Sequence, residues 1–254
     1  MQPVGELVNE IRLGRWQDVL TDVECDAWIS DPPYGRRTHE GHDDAATGIN
    51  QAAGARELGY SWLEPADVHE IVEHWSPRTR GWFAAMTSHD LIPHWEAALD
   101  AAGRYAFAPI PIIGRYIPRM CGDGPGSGIV WMIVARPRSA AFIARGWGSM
   151  PNRYEQPPGE GRSSKRRMGG KSLGMLRAIV RDYSRPGEVV CDPFAGNGTG
   201  PRAAQEEGRE AVGSEVDPEA WEIARDWLAE PVSGALFRGG EGRDRGKPGE
   251  LDLG

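Results

Sequence analysis

The sequence is poor in the residues that usually announce a metal or a disulfide. Its three cysteines, Cys25, Cys121 and Cys191, stand far apart, in no zinc-ligand spacing and no disulfide framework. A reducing, cytoplasmic setting is the expectation. The six histidines all fall in the first hundred residues and none forms a His-Glu-x-x-His pattern, so no metal site is expected. No apolar run approaches the roughly 18 residues of a membrane span. The opening MQPVGELVNE lacks the basic region and apolar core of a secretory signal. The net charge of −8 is the wrong sign for a protein that holds phosphates over its whole surface. Only RSSKRRMGGK (162–171) concentrates positive charge, with five basic residues and no acid. Taken alone, such a run reads as a solvated loop.

What is present is a chain of 254 residues, 39% hydrophobic and 26% charged, long enough for a large α/β core. Apolar runs alternate with helical patterns, which predicts a mostly parallel sheet with crossover helices. Strands are expected at 9–14, 26–31, 81–88, 105–114, 128–137, 187–194 and 210–217. The two prolines of 105–114 mark it as an edge or bulged strand. Helices are expected at 65–76, 92–103, 172–184, 201–207 and 218–230. Residues 138–170 show no periodicity, and the mixed-charge tail from Arg238 reads as disordered.

Two stretches carry chemistry. VVCDPFAGNGTGP (189–201) places an acid and a glycine cluster between an apolar strand and a helix, where the backbone can approach a ligand closely. A nicotinamide fingerprint fails because Pro201 stands where its third glycine belongs, and GGKS (169–172) lacks the rest of a P-loop. The next strand ends in Glu215, seventeen residues beyond Gly198. An acid there can accept hydrogen bonds from ribose hydroxyls, and no neighbouring arginine awaits a ribose phosphate. The pattern points to an unphosphorylated adenosine-containing cofactor. The other stretch is ISDPPYG (29–35), an apolar strand stopped by an acid, two prolines and an aromatic. It is either a rigid exit from a sheet or a chemical motif.

Together, DPFAGNGTG and DPPY resemble the S-adenosylmethionine and catalytic motifs of the amino-directed (N6-adenine or N4-cytosine) DNA methyltransferases. DPPY comes first here, so the order resembles the permuted beta group. The resemblance spans roughly 9–37 and 80–230. It implies an α/β, Rossmann-like, S-adenosylmethionine-dependent methyltransferase fold with a mostly parallel central sheet, helices on both faces and a circularly permuted motif order. One domain over 1–230 is expected, with short target-recognition insertions at about 36–62 and 138–170 and a disordered tail at 231–254. Parallel strands present their carboxyl ends on one edge, so Asp31 and Asp192 can be neighbours although 161 positions apart.

The resemblance assigns Asp31, Pro32, Pro33 and Tyr34 to catalysis. An exocyclic base amine is a poor nucleophile because its lone pair is delocalised into the ring. Acceptors on its hydrogens free that lone pair, and Asp31 and the Pro32 carbonyl, stiffened by Pro33, can supply them. Tyr34 offers a face for a flipped base. Asp192, Pro193, Phe194, Ala195, Gly196, Gly198, Thr199, Glu215 and Val216 are implied to hold S-adenosyl-L-methionine, as are Lys171 and Ser172. Arg36, Arg37, Arg162, Lys165, Arg166 and Arg167 are candidate contacts to double-stranded DNA. Trp147, in a Gly-rich stretch, is a further candidate for touching nucleic acid. No membrane partner is expected, while a homodimer and a companion restriction enzyme are left open.

Asp31, rather than Ser, favours adenine over cytosine in that family. Two positions depart from it: Gly14-Arg15 stands where Gly-Asp is usual, and Lys171-Ser172 where Lys-Pro is usual. The alternatives carried forward are methylation of cytosine N4, of an RNA base or of a protein amide, and a non-catalytic module that binds cofactor and DNA.

Overall fold

The structure, a computed structural model, describes residues 9–36, 62–114, 129–157 and 171–232. Among the described residues nine strands form one sheet: β1 (Asn9–Leu13), β2 (Ala27–Ser30), β3 (Phe83–Thr87), β4 (Arg104–Ala106), β5 (Ile110–Ile113), β6 (Ile129–Pro137), β7 (Tyr154–Glu155), β8 (Val189–Asp192) and β9 (Glu210–Glu215). Their order is β1-β9-β8-β2-β3-β6-β5-β7, with β4 also on β6. From β1 to β3 every pairing is parallel. β6 is the reversal, antiparallel to β3, β4 and β5. The N-terminal strand thus closes the edge beside the C-terminal one.

The helices are α1 (Trp16–Val19), α2 (Pro65–Trp75), α3 (Ile92–Ala101), α4 (Ala140–Ile143), α5 (Leu173–Tyr183), α6 (Thr199–Glu206) and α7 (Pro218–Ala229). β2 and β3 are buried along their whole length because side chains from each face enter a core. Trp28, Phe83 and Ala85 join Trp16, Leu20, Ile71, Trp75 and Trp95 beneath α1–α3. Ile29, Ala84 and Met86 join Leu176, Ile179, Val180 and Ala203 beneath α5 and α6. Burial on both faces is what produces a continuous apolar run instead of an alternating one. His74 lies in the first layer, 4.8 Å from the Trp16 ring, and burial lowers its pKa. It is a packed residue.

Two expectations need correction. The segment 105–114 is two strands, β4 and β5, separated at 107–109 and both paired with β6. β5 is not an edge, since β7 pairs with its last two residues, beyond Pro111, where amide donors are available. Part of the segment read as aperiodic also folds, as α4 and β7. No helix among the described residues is long and apolar enough to cross a membrane.

Candidate active site

The parallel strands set out the site by ending together. Along their carboxyl edge come Gly14-Arg15 after β1, Glu215 closing β9, Asp192 closing β8, Asp31 after β2 and Ser88 to Asp90 after β3. The two chemical motifs therefore sit on adjacent strands. They are also bonded: Ser30 Oγ donates to Asp192 Oδ1 at 2.5 Å. Asp192 is 6% exposed and also accepts from the Phe194 amide at 3.2 Å. Burial outweighs both bonds and pushes its pKa up to about 7.

Beyond Asp192 the chain turns on itself. The Ala195 amide donates to the Ser214 carbonyl at 3.0 Å, the Gly198 amide to the Ala195 carbonyl at 2.8 Å, and Ser214 Oγ to the Pro193 carbonyl at 2.8 Å. Gly196 and Gly198 hold φ values of +52° and +81°. A Cβ on Gly198 would lie 2.9 Å from Ala224 of α7, so that glycine lets the helix approach. A Cβ on Gly196 would meet nothing within 4 Å. The space above Gly196 is open, and the buried Asn197 Oδ1 has no hydrogen-bond partner among the described residues. Thr199 opens α6, Phe194 rests on the first core, and Val216 is exposed. Glu215 uses Oε1 to hold the Asp217 amide at 2.8 Å.

Asp31 sits where β2 leaves the sheet. Tyr34 Oη donates to its Oδ1 at 2.7 Å, and Lys171 Nζ donates to its Oδ2 at 2.6 Å. Lys171 Nζ also lies 2.6 Å from Tyr34 Oη. The resemblance implied a cofactor role for Lys171, whereas its ammonium is placed on the DPPY motif. Next to it, Ser172 is buried and caps α5, its hydroxyl accepting from the Met175 amide at 3.2 Å. A serine can therefore do the helix-starting work expected of proline there.

The motif's neighbours were not legible in the sequence. Ser30, just ahead of the motif, bonds Asp192 across 162 positions, and Lys171 reaches Asp31 across 140. After Tyr34, the Gly35 amide donates to Ser88 Oγ at 2.9 Å, and a Cβ on Gly35 would lie 2.3 Å from Asp90 Oδ2. A side chain at position 35 would have to displace the Asp90 carboxylate. Asp90 Oδ1 is buried without a partner among the described residues.

Arg15 is exposed at the start of α1, and Arg36 is exposed directly after the motif. Arg37, Arg162, Lys165, Arg166 and Arg167 lie outside the described residues. Lys171 is the described member of the basic window, and it faces Asp31. Trp147 packs on Trp82 and Phe142, with ring centroids at 5.7 and 5.4 Å. It helps line an apolar cavity of about 460 Å³ with Trp82, Phe107 and Tyr183. That cavity is at the amino ends of the parallel strands, away from Asp31.

Residues 127–226 match the family model described as DNA methylase. That stretch of the chain is similar to the N6/N4 DNA methylases. The matched part contains Lys171, the glycine turn and Glu215, while the DPPY motif precedes it. No curated protein sequence matches the chain. Among solved structures, the M1.HpyAVI–SAM complex is 18% identical, with a TM-score of 0.62 and coverage of 85% of this chain and 98% of that one. A putative DNA modification methylase from Thermus thermophilus, complexed with S-adenosyl-L-methionine, is 19% identical, with a TM-score of 0.55 over 89% and 96%. PvuII DNA methyltransferase (cytosine-N4-specific) is 13% identical, with a TM-score of 0.56 over 87% and 86%. These likenesses establish the Rossmann-like methyltransferase fold.

Proposed function

We propose that this protein transfers a methyl group from S-adenosyl-L-methionine to the exocyclic amine of a flipped base in double-stranded DNA, adenine N6 in preference to cytosine N4. The observation that carries the reading is the Ser30–Asp192 hydrogen bond, which locks the end of the catalytic strand to the end of the cofactor strand. The glycine turn fits the cofactor: Gly196 leaves open space and Asn197 keeps an orphaned buried acceptor beside it. Glu215, at the tip of the adjacent strand, would accept from ribose hydroxyls. When bound, the cofactor supplies an electrophilic methyl on a sulfonium.

The chain's own groups prepare the nucleophile. Asp31 and the Pro32 carbonyl accept the two amine hydrogens and favour a pyramidal nitrogen. Its lone pair would take the methyl group in exchange for the methyl–sulfur bond, whose electron pair would stay with the departing cofactor, and the surplus amine proton would leave to water. Pro32 and Pro33 fix the loop, so the acceptors need little reorganisation. Tyr34 presents a ring against which the flipped base stacks, offsetting the few kcal/mol that extrusion costs. No nucleophilic cysteine is required: Cys25 and Cys191 are buried, the latter with its thiol pKa raised by burial.

Incubation with methyl-labelled cofactor and duplex DNA, RNA or protein tests the reading. Label should appear on DNA and fall at least ~10²-fold in Asp31→Ala, the scale on which loss of an essential acceptor acts. Label on RNA or protein alone, or on nothing, overturns it. Digestion of labelled DNA to nucleosides is expected to yield N6-methyladenine, and N4-methylcytosine would reverse the base preference.

A further inference from the structure

The Asp31 carboxylate is held by groups that the DPPY motif only half supplies. Lys171, one residue before the Ser172 cap of α5, reaches back to the end of β2. It donates to Asp31 Oδ2 and to Tyr34 Oη, both at 2.6 Å, while Tyr34 Oη donates to Asp31 Oδ1 at 2.7 Å. Only this set of donors closes the ring, because an ammonium cannot accept and a hydroxyl has one hydrogen. Nζ is 5.0 Å from the Tyr34 ring centroid. Being much nearer the hydroxyl, it lies off the rim of the ring rather than over its π face, so it does not claim the face a base would use.

Prolines immobilise the backbone of the motif but not the two side-chain torsions of Asp31. A carboxylate free to turn would scatter its acceptors, and misplacement by about 1 Å can cost ~10²-fold in rate. The ring removes that freedom. Each Asp31 oxygen receives one hydrogen bond from it and keeps further lone-pair capacity for an incoming amine. Stability alone is a poor reason for such an arrangement, since Lys171 and Asp31 side chains retain 18% and 28% exposure and partly exposed ion pairs contribute little.

We propose that Lys171 and the Tyr34 hydroxyl are positioning groups that fix the plane of the Asp31 carboxylate toward the target amine. This assignment rests on the reading of Asp31 as the amine's acceptor. It moves Lys171 from the cofactor to the base side of the site and gives Tyr34 a task separate from stacking, one that phenylalanine cannot perform.

The test uses the full-length chain with duplex DNA and compares Lys171→Met, Lys171→Arg, Tyr34→Phe and the Lys171→Met/Tyr34→Phe double variant. Calorimetry gives the cofactor Kd, and kcat and KM are measured with cofactor saturating. Lys171→Met and Tyr34→Phe should each lower kcat by roughly 30- to 100-fold, with cofactor Kd and DNA KM within about threefold. The double variant should fall little below the worse single one, because breaking the ring once releases the carboxylate. Lys171→Arg should recover most of the rate. Wild-type kcat in Lys171→Met overturns the proposal, as does a loss confined to cofactor Kd, which would return Lys171 to the cofactor. Tyr34→Phe covers the case in which a Lys171 variant fails to fold. A wild-type chain that binds cofactor but labels no DNA fails at the function itself, and the positioning role falls with it. A labelling wild type with unaffected variants sinks the ring alone.

Discussion

Asp31 and Asp192 end adjacent strands of the same sheet, yet their surroundings give them different work. Asp31 is partly exposed and ion-paired. Asp192 is sealed between Ser30 and the glycine turn, and a Cβ on Gly200 would lie 2.4 Å from its Oδ2. With its folded pKa raised to about 7, well above the ordinary 3.8, the native state holds that proton more tightly than the unfolded chain does. The group's contribution to stability is then fully present below the unfolded value and is lost as pH rises through about 7. Asp192→Asn keeps an acceptor for Ser30 and the Phe194 amide but cannot ionise. Urea unfolding at pH 5 and pH 8 should show the wild type losing on the order of 3 kcal/mol more than Asp192→Asn over that interval. Parallel losses in the two proteins would mean that Asp192 is ionised in the fold.

Among the elements, the β8–α6 turn shows how glycines of one motif divide their duties. Gly198 has φ of +81° and would press a Cβ against Ala224, so Gly198→Ala combines backbone strain with a clash. It should cost ~2–3 kcal/mol of stability. Gly196, at φ +52°, would meet no atom within 4 Å, leaving a strain of ~1 kcal/mol for Gly196→Ala. If the cofactor occupies the open side of the turn, that same methyl group stands in its way. Thermal melting and cofactor calorimetry should therefore separate the pair: Gly198→Ala loses mainly melting temperature, and Gly196→Ala mainly affinity, by about tenfold or more. An unchanged cofactor Kd in a folded Gly196→Ala would remove the turn from the cofactor site. The sequence displayed this element openly, because a strand, an acid, glycines and a helix are contiguous. The long helices were equally legible: the apolar period placed α5 within a residue of where it lies. α4 and β7, of four and two residues, carry no period, and they form through tertiary contacts such as Phe142 on Trp82. The Lys171–Asp31–Tyr34 ring escaped for a related reason. A contact across 140 positions leaves no local spacing, so only the folded strand order reveals it.

For the molecule as a whole, the site depends on which strands lie side by side and not on the order in which the chain supplies them. β2 carries Asp31 and β8 carries Asp192, and β1 enters from the N-terminus to pair with β9 from the far end of the chain. Motif order should then be separable from activity. A circular permutant that opens the chain within 158–170 and joins residues 1 and 254 through a flexible linker would place Lys171, the glycine turn and Glu215 ahead of DPPY. Every parallel pairing from β1 to β3 could still form, because the cut severs no described strand or helix. Covalent connectivity changes the loop-closure entropy, which grows only slowly with loop length, so a modest loss of stability is expected rather than a different fold. The permutant should retain cofactor affinity within about threefold and a substantial fraction of wild-type methyl transfer, since the reacting groups stay on the same strand ends. Circular dichroism and calorimetry would first establish that it folds and binds cofactor. A permutant that does both yet transfers no methyl would show that residues 158–170 must be continuous for catalysis. The basic window, and not the strand edge, would then become the part of the chain to which the DNA answers.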